Sequence, residues 1–179
     1  MRTLCLDLAT QFGFAVGDQC GVVAHGSHKL PSTGNDIGAF LYSYQSWLSS
    51  AISRWEPGEI VFESPVLPAN TQLNTLRKLY SLCGVTELIA GNRQIPVREA
   101  NLSSIRLHFV GVARAPKAIP AKERRQWIKD AVMLECRKRG FRPADDNAGD
   151  ALALFSYTLA QKDRRFRMLG DEIPMQEAA

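Results

Sequence analysis

Thr3-Leu4-Cys5-Leu6-Asp7-Leu8 is apolar on both sides of a single carboxylate. A run apolar on both faces reads as a central strand of a mostly parallel or mixed sheet. An ionised carboxylate buried in such a strand is costly unless something pairs with it, and a cation is the simplest partner. Thr10 follows, then Phe12-Gly13-Phe14-Ala15-Val16, a second apolar run. Together they predict a tight strand-turn-strand with Asp7 at its open end. The plain alternative is an Asp that caps a turn.

Outward from this hairpin, Gly21 to Leu30 follows a turn at Gly17-Asp18 and reads as a third strand. Short turns between the three predict an antiparallel meander. His25 and His28 on this strand read as packing or surface residues. Ile37, Phe40, Leu41, Tyr44, Trp47, Leu48, Ala51, Ile52 and Trp55 recur at helical spacing, so the aromatic stripe reads as core. Asn35 or Asp36 caps this helix, and Pro57-Gly58 stops it. Glu59 to Pro65 is a short buried strand ending at Glu63 and broken by Pro65. A helix between two strands implies a parallel crossover. Glu63 then falls at the C-terminal end of a strand, where open α/β sheets place their sites.

Asn70 to Gln94 predicts a second long helix, with Leu73, Leu76, Leu79, Tyr80, Cys83, Leu88 and Ile89 on a broad apolar face. That face is wider than one core contact needs, and a partner helix from a second subunit would cover it. Gly84 suggests close backbone approach by another element. Ile95 to Ala100 is a fifth strand, and Asn101 starts a short helix with Leu102, Ile105 and Phe109 inward. Pro120 in first position opens a helix from Ala121 to Arg139, closed by Gly140.

Charge is uneven. From Arg114 to Arg142 ten bases face three acids, a net +7 against +4 for the whole chain. This is either a solvated helix face or a surface that tracks phosphates. The chain's pI of about 9.0 points the same way, to a polyanionic partner. Asp146 and Asp150 are spaced i,i+4 in the last helix, and Asn147 and Asp150 i,i+3, so either pair shares a helix face. Acids at a helix start complement its dipole, which accounts for Asp145 and Asp146 but not for Asp150 among apolar residues.

The 179 residues suit a single domain with a sizeable core. Cys5, Cys20, Cys83 and Cys136 form no CxxC pair and no zinc spacing with the three histidines, so they read as reduced thiols. With no leader-like N-terminus and no apolar run of spanning length, the expectation is a soluble cytoplasmic protein without membrane contact.

Three acidic elements thus stand in order: the first strand, the end of the fourth, and the first turns of the last helix. In this order of strands and helices, the chain resembles the RuvC-type Holliday junction resolvases of the ribonuclease H-like superfamily, in their phage and prophage branch. The resemblance rests on Leu6 to Ala15, Phe62-Glu63-Ser64-Pro65, Ile105-Arg106 through Gly111 to Lys117, and Asp146 to Ala153. It implies an α/β fold with a five-stranded mixed sheet flanked by helices. It places the nuclease domain at residues 1–162, with a polar tail at 163–179. It also implies a homodimer, formed through the Asn70–Gln94 helix and acting in a bacterial cytoplasm as a host or phage protein.

The implied activity is metal-dependent endonucleolytic cleavage of branched DNA, with two Mg²⁺ per site, Mn²⁺ substituting, and 5′-phosphate and 3′-hydroxyl ends. The metal ligands by resemblance are Asp7, Glu63 and Asp150, with Asp146, or alternatively Asn147, as the fourth. Lys117 or Lys122 takes the place of the lysine near the scissile phosphate. Arg114, Lys117, Lys122, Arg124 and Arg125 are the expected DNA-binding residues. Rival readings are an inactive junction-binding dimer in which Asn147 marks a decayed site, and a ribonuclease of the same superfamily. An actin-like or sugar-kinase-like ATPase would share the first-strand Asp and Gly, but it needs a second glycine-rich phosphate loop that the sequence lacks.

Overall fold

The computed structural model describes residues 1–66 and 72–163. Five strands, β1 (Thr3–Asp7), β2 (Gln11–Asp18), β3 (Gly21–Lys29), β4 (Glu59–Glu63) and β5 (Val97–Ala100), form one sheet in the order β3-β2-β1-β4-β5. β1, β2 and β3 are an antiparallel meander, and β4 and β5 continue the sheet parallel to β1. This is the mixed α/β sheet expected. The helices are α1 (Ile37–Trp55), α2 (Leu73–Asn92), α3 (Leu102–Val110), α4 (Arg124–Lys138) and α5 (Asp146–Lys162).

Side chains alternate across β1 and β4 with period two, and this sorts the core into two layers. Leu4, Leu6, Ile60 and Phe62 join Phe40, Tyr44, Leu48 and Leu82 on the side of α1 and α2. Cys5 and Val61 join Ile105, Val132, Leu152 and Phe155 on the side of α3, α4 and α5. Asp7 and Glu63 share the parity of Cys5 and Val61, so they belong to the α5 side. The aromatic stripe of α1 is core, as expected: Trp47 meets Phe12 edge-on at 4.5 Å, and the Tyr44 hydroxyl bonds Thr86 of α2 at 2.6 Å.

Several boundaries differ from expectation. α2 begins at Leu73 and ends at Asn92; Thr71 and its neighbours from 67 lie outside the described residues, as does the tail from 164. α4 begins at Arg124 rather than Ala121, because Glu123 N–H bonds the Pro120 carbonyl and closes a separate turn first. Among the described residues Gly84 has no close neighbour: a Cβ there would meet nothing within 4 Å.

At the end of the sheet away from Asp7, Glu59 is 7% exposed. It accepts from Arg98 Nε at 2.6 Å and pairs with Lys162, whose ammonium also reaches the Thr3 hydroxyl at 2.7 Å. This cluster ties the last turn of α5 to β1, β4 and β5.

Candidate active site

β1 and β4 run parallel, with Leu6 opposite Phe62 as their last registered pair. Asp7 and Glu63, each one residue further on, therefore end neighbouring strands on the same face. α5 crosses that face on small residues, with Ala148, Ala151 and Ala153 all buried. Its start rests directly on β2, because Gly13 leaves room for the Asn147 backbone. Asp7, Glu63, Asn147 and Asp150 consequently line one cleft of about 850 Å³, together with the cations Lys78, Arg106, Arg125 and Lys129.

The acids sense one another. Burial pushes the Asp7 carboxyl well above its ordinary range, and the charges of Glu63 and Asp150 push it further, against Lys129 and Arg106. Burial and Asp150 raise Glu63 to about 7, against Arg106. Burial raises Asp150 too, opposed by Arg106, Lys129 and Arg125. Buried acids shifted in this way by one another in a cleft mark a candidate functional site.

Among the described residues no three His, Cys, Asp or Glu side chains stand close enough together to hold a metal ion. Mg²⁺ takes oxygen ligands, keeps several waters and is usually held by one or two carboxylates plus substrate phosphate, whereas structural zinc needs four closed ligands. The oxygen-only acids of this cleft fit such a hard ion.

The expected residues fall into two groups. Asp7, Glu63 and Asp150 are brought together. Of the two candidates for the fourth ligand, Asn147 lines the cleft, while Asp146 is paired with Lys129 of α4. Neither Lys117 nor Lys122 lines the cleft; both are exposed, and Lys122 stands 4.0 Å from Glu123. Arg124 is engaged in the loop before α4, donating to the Ile119 and Lys117 carbonyls at 2.9 and 3.2 Å. Arg114 is exposed outside the cleft. Only Arg125 of the expected DNA-binding set reaches it.

Lys78, Arg106 and Lys129 are cleft cations outside the expected DNA-binding set. Arg106 sits on α3, and its Nε is buried with no hydrogen-bond partner among the described residues. A buried donor left unpaired is costly, and the charges that act on Arg106 are those of Asp7, Glu63 and Asp150. In the sequence Arg106 directly follows Ile105, which is core, and lies in the stretch to Lys117 that carries the family resemblance.

No protein-family model matches the chain, and no curated protein matches it by sequence. Solved structures do match. RuvC of Thermus thermophilus in complex with Holliday junction substrate superposes with a TM-score of 0.66 at 15% identity, covering 90% of this chain and 96% of that one. A further Thermus thermophilus RuvC structure gives 0.65, again at 15% identity, over 90% and 97% of the two chains. The yeast mitochondrial Holliday junction resolvase gives 0.56 at 13% identity, over 93% and 83%. The fold of this chain is that of the RuvC-type Holliday junction resolvases.

Proposed function

We propose that this protein is a structure-selective endonuclease that hydrolyses phosphodiester bonds in branched DNA, four-way junctions above all. The observation that carries the reading is the convergence of Asp7, Glu63 and Asp150 from three separate elements on one cleft walled by Arg106, Arg125 and Lys129. The fold shared with solved junction resolvases supports it.

Asp7, Glu63 and Asp150 would hold Mg²⁺, with Mn²⁺ as substitute, and Asn147 would offer a neutral amide oxygen beside them. When bound, two such ions supply activation of the attacking water and stabilisation of the leaving 3′ oxygen. The chain's own residues do the rest. Arg106 turns its unpaired Nε to the scissile phosphate, a role better suited to its position than to Lys117 or Lys122. Lys129, held by Asp146, adds charge beside it. Arg125 stands at the mouth, and Arg114, Lys117 and Lys122 follow the backbone outside without reading bases. The products are 5′-phosphate and 3′-hydroxyl ends.

Two sites are needed to nick a junction symmetrically, and α2 supports a homodimer. Leu73, Tyr80 and Leu88 are more than half exposed on it, and Gly84 and Gly91 leave its backbone open.

The neutral Asn147 favours one rival, a junction-binding dimer that does not cut. A single assay separates the two: cleavage of a synthetic four-way junction against linear duplex in Mg²⁺, with Asp7→Asn and Arg106→Ala beside wild type. The nuclease reading expects paired nicks by wild type, none by Asp7→Asn, and a loss in Arg106→Ala that Arg106→Lys partly restores. Tight junction binding without nicking in Mg²⁺ or Mn²⁺ supports the rival.

A further inference from the structure

Three residues in register cross the sheet at the level of the cleft. Asp7 of β1 is opposite Gly13 of β2, and Gly13 is opposite Ser27 of β3. The first turn of α5 lies on this row, and a Cβ added to Gly13 would stand 1.8 Å from the Asn147 carbonyl oxygen. Asp145, the residue before the helix, is tied to the same row. Its Oδ2 accepts from Gln11 Nε2 at 2.9 Å and from the Ser27 hydroxyl, while its Oδ1 accepts from the Ala148 amide at 2.9 Å. One carboxylate therefore joins two strands and caps the helix that carries Asn147 and Asp150.

We propose that Asp145 is a positioning residue for the cleft: it touches neither metal nor DNA but fixes where α5 begins, and so aims Asn147 and Asp150 at Asp7 and Glu63. What the aimed groups do rests on the nuclease reading above; the bracing itself does not. Neighbouring Asp146 takes Lys129 of α4, so the same turn is held from a second side. Two donors from separate strands meet one oxygen of Asp145, and only a side chain with an acceptor oxygen replaces it. Asn keeps one acceptor oxygen and is a good helix cap, whereas Ala keeps neither property. Losing a group that orients a metal ligand from behind typically costs 10–100-fold in metal affinity or activity.

The test uses the full chain as wild type, Asp145→Asn, Asp145→Ala and Ser27→Ala. Mn²⁺ binding is titrated by calorimetry, and junction cleavage is followed against Mg²⁺ concentration. Asp145→Ala is expected to weaken Mn²⁺ binding, and to raise the half-saturating Mg²⁺, by roughly tenfold or more. Metal-free affinity for the junction should stay unchanged. Asp145→Asn should recover part of the loss, and Ser27→Ala should show a smaller shift in the same direction. A folded Asp145→Ala with wild-type metal dependence overturns the proposal. Where Asp145→Ala does not fold, unshifted binding in both Asp145→Asn and Ser27→Ala overturns it. A wild type that binds Mn²⁺ but cuts no junction overturns the nuclease reading alone, and the Mn²⁺ titrations still decide the role of Asp145. A wild type that binds no Mn²⁺ overturns both.

Discussion

The Asn147 backbone fills the space that a side chain on Gly13 would take: a Cβ there would lie 1.8 Å from the Asn147 carbonyl oxygen and 2.4 Å from its carbon. Both are backbone atoms, so no rotamer change relieves the clash. Gly13→Ala must lift the start of α5 from β2, at a cost of about 1–3 kcal/mol or more. The same displacement carries Asn147 and Asp150 away from Asp7. Urea unfolding should show the loss of stability. Mn²⁺ binding should fall further than in an equally destabilised variant with its substitution in the α1 layer.

The acids of the cleft set a pH dependence. An acid whose pKa is higher folded than unfolded holds its proton more tightly in the native state. Its contribution to stability therefore falls as pH rises from the unfolded value, about 4, through the folded one, about 7 for Glu63. Asp7 and Asp150 are shifted in the same direction. In chelator, the melting temperature should fall between pH 4 and 7. Glu63→Gln should flatten that fall, and Mg²⁺ should reduce it. A metal-free melting temperature that holds level over this window in wild type would count against the clustering.

Much of this arrangement was legible in the sequence, and the limits have physical reasons. β1 could be read because the residues around Asp7 are apolar on both faces, and α1 because its aromatics keep helical spacing. The parallel placement of β4, and with it Glu63 beside Asp7, followed from the intervening helix. What escaped was every pairing that depends on side-chain direction. Asp145 and Asp146 are adjacent acids, yet one faces the sheet and the other α4, and no periodicity separates them. Arg106 lies in the stretch that carries the resemblance, but nothing in the sequence aims its side chain into the cleft. Glu59 read as the polar start of a strand, since its partners Arg98 and Lys162 lie 39 and 103 positions away. Gly84 suggested close packing where the described residues leave open space.

Glu59 acts on stability in the opposite sense to the cleft acids. Burial would raise its carboxyl, but Arg98 and Lys162 outweigh that and hold it below the usual range. Its contribution is present above the unfolded value and is lost as pH falls below it. Glu59→Ala strands two cations. Arg98 is half-exposed and returns to water, so the cost sits at the low end for a broken buried pair, about 3 kcal/mol. Urea unfolding at pH 7 should show it, and amide exchange should quicken in the last turn of α5. A change below 0.5 kcal/mol would mean the cluster is neutral to stability.

The open backbone at Gly84 gives a test of the dimer. Within one chain, Ala in a helix interior is better than Gly by about 0.5–1 kcal/mol, and none of the described residues obstructs the added methyl. If α2 is the seam, Gly84→Ala should stabilise the monomer yet weaken association, and Tyr80→Glu should abolish it. Sedimentation velocity reads both, and a dimer untouched by either substitution places the seam elsewhere.

The central claim is that acids far apart in the chain share divalent ions in one cleft. Calorimetric titration of Mn²⁺ into wild type, Asp7→Asn, Glu63→Gln and Asp150→Asn at pH 7.5 tests it most directly. Saturable binding by wild type, lost or sharply weakened in each variant while all four stay folded, is the predicted result. Wild-type binding in any one of the three variants would contradict it.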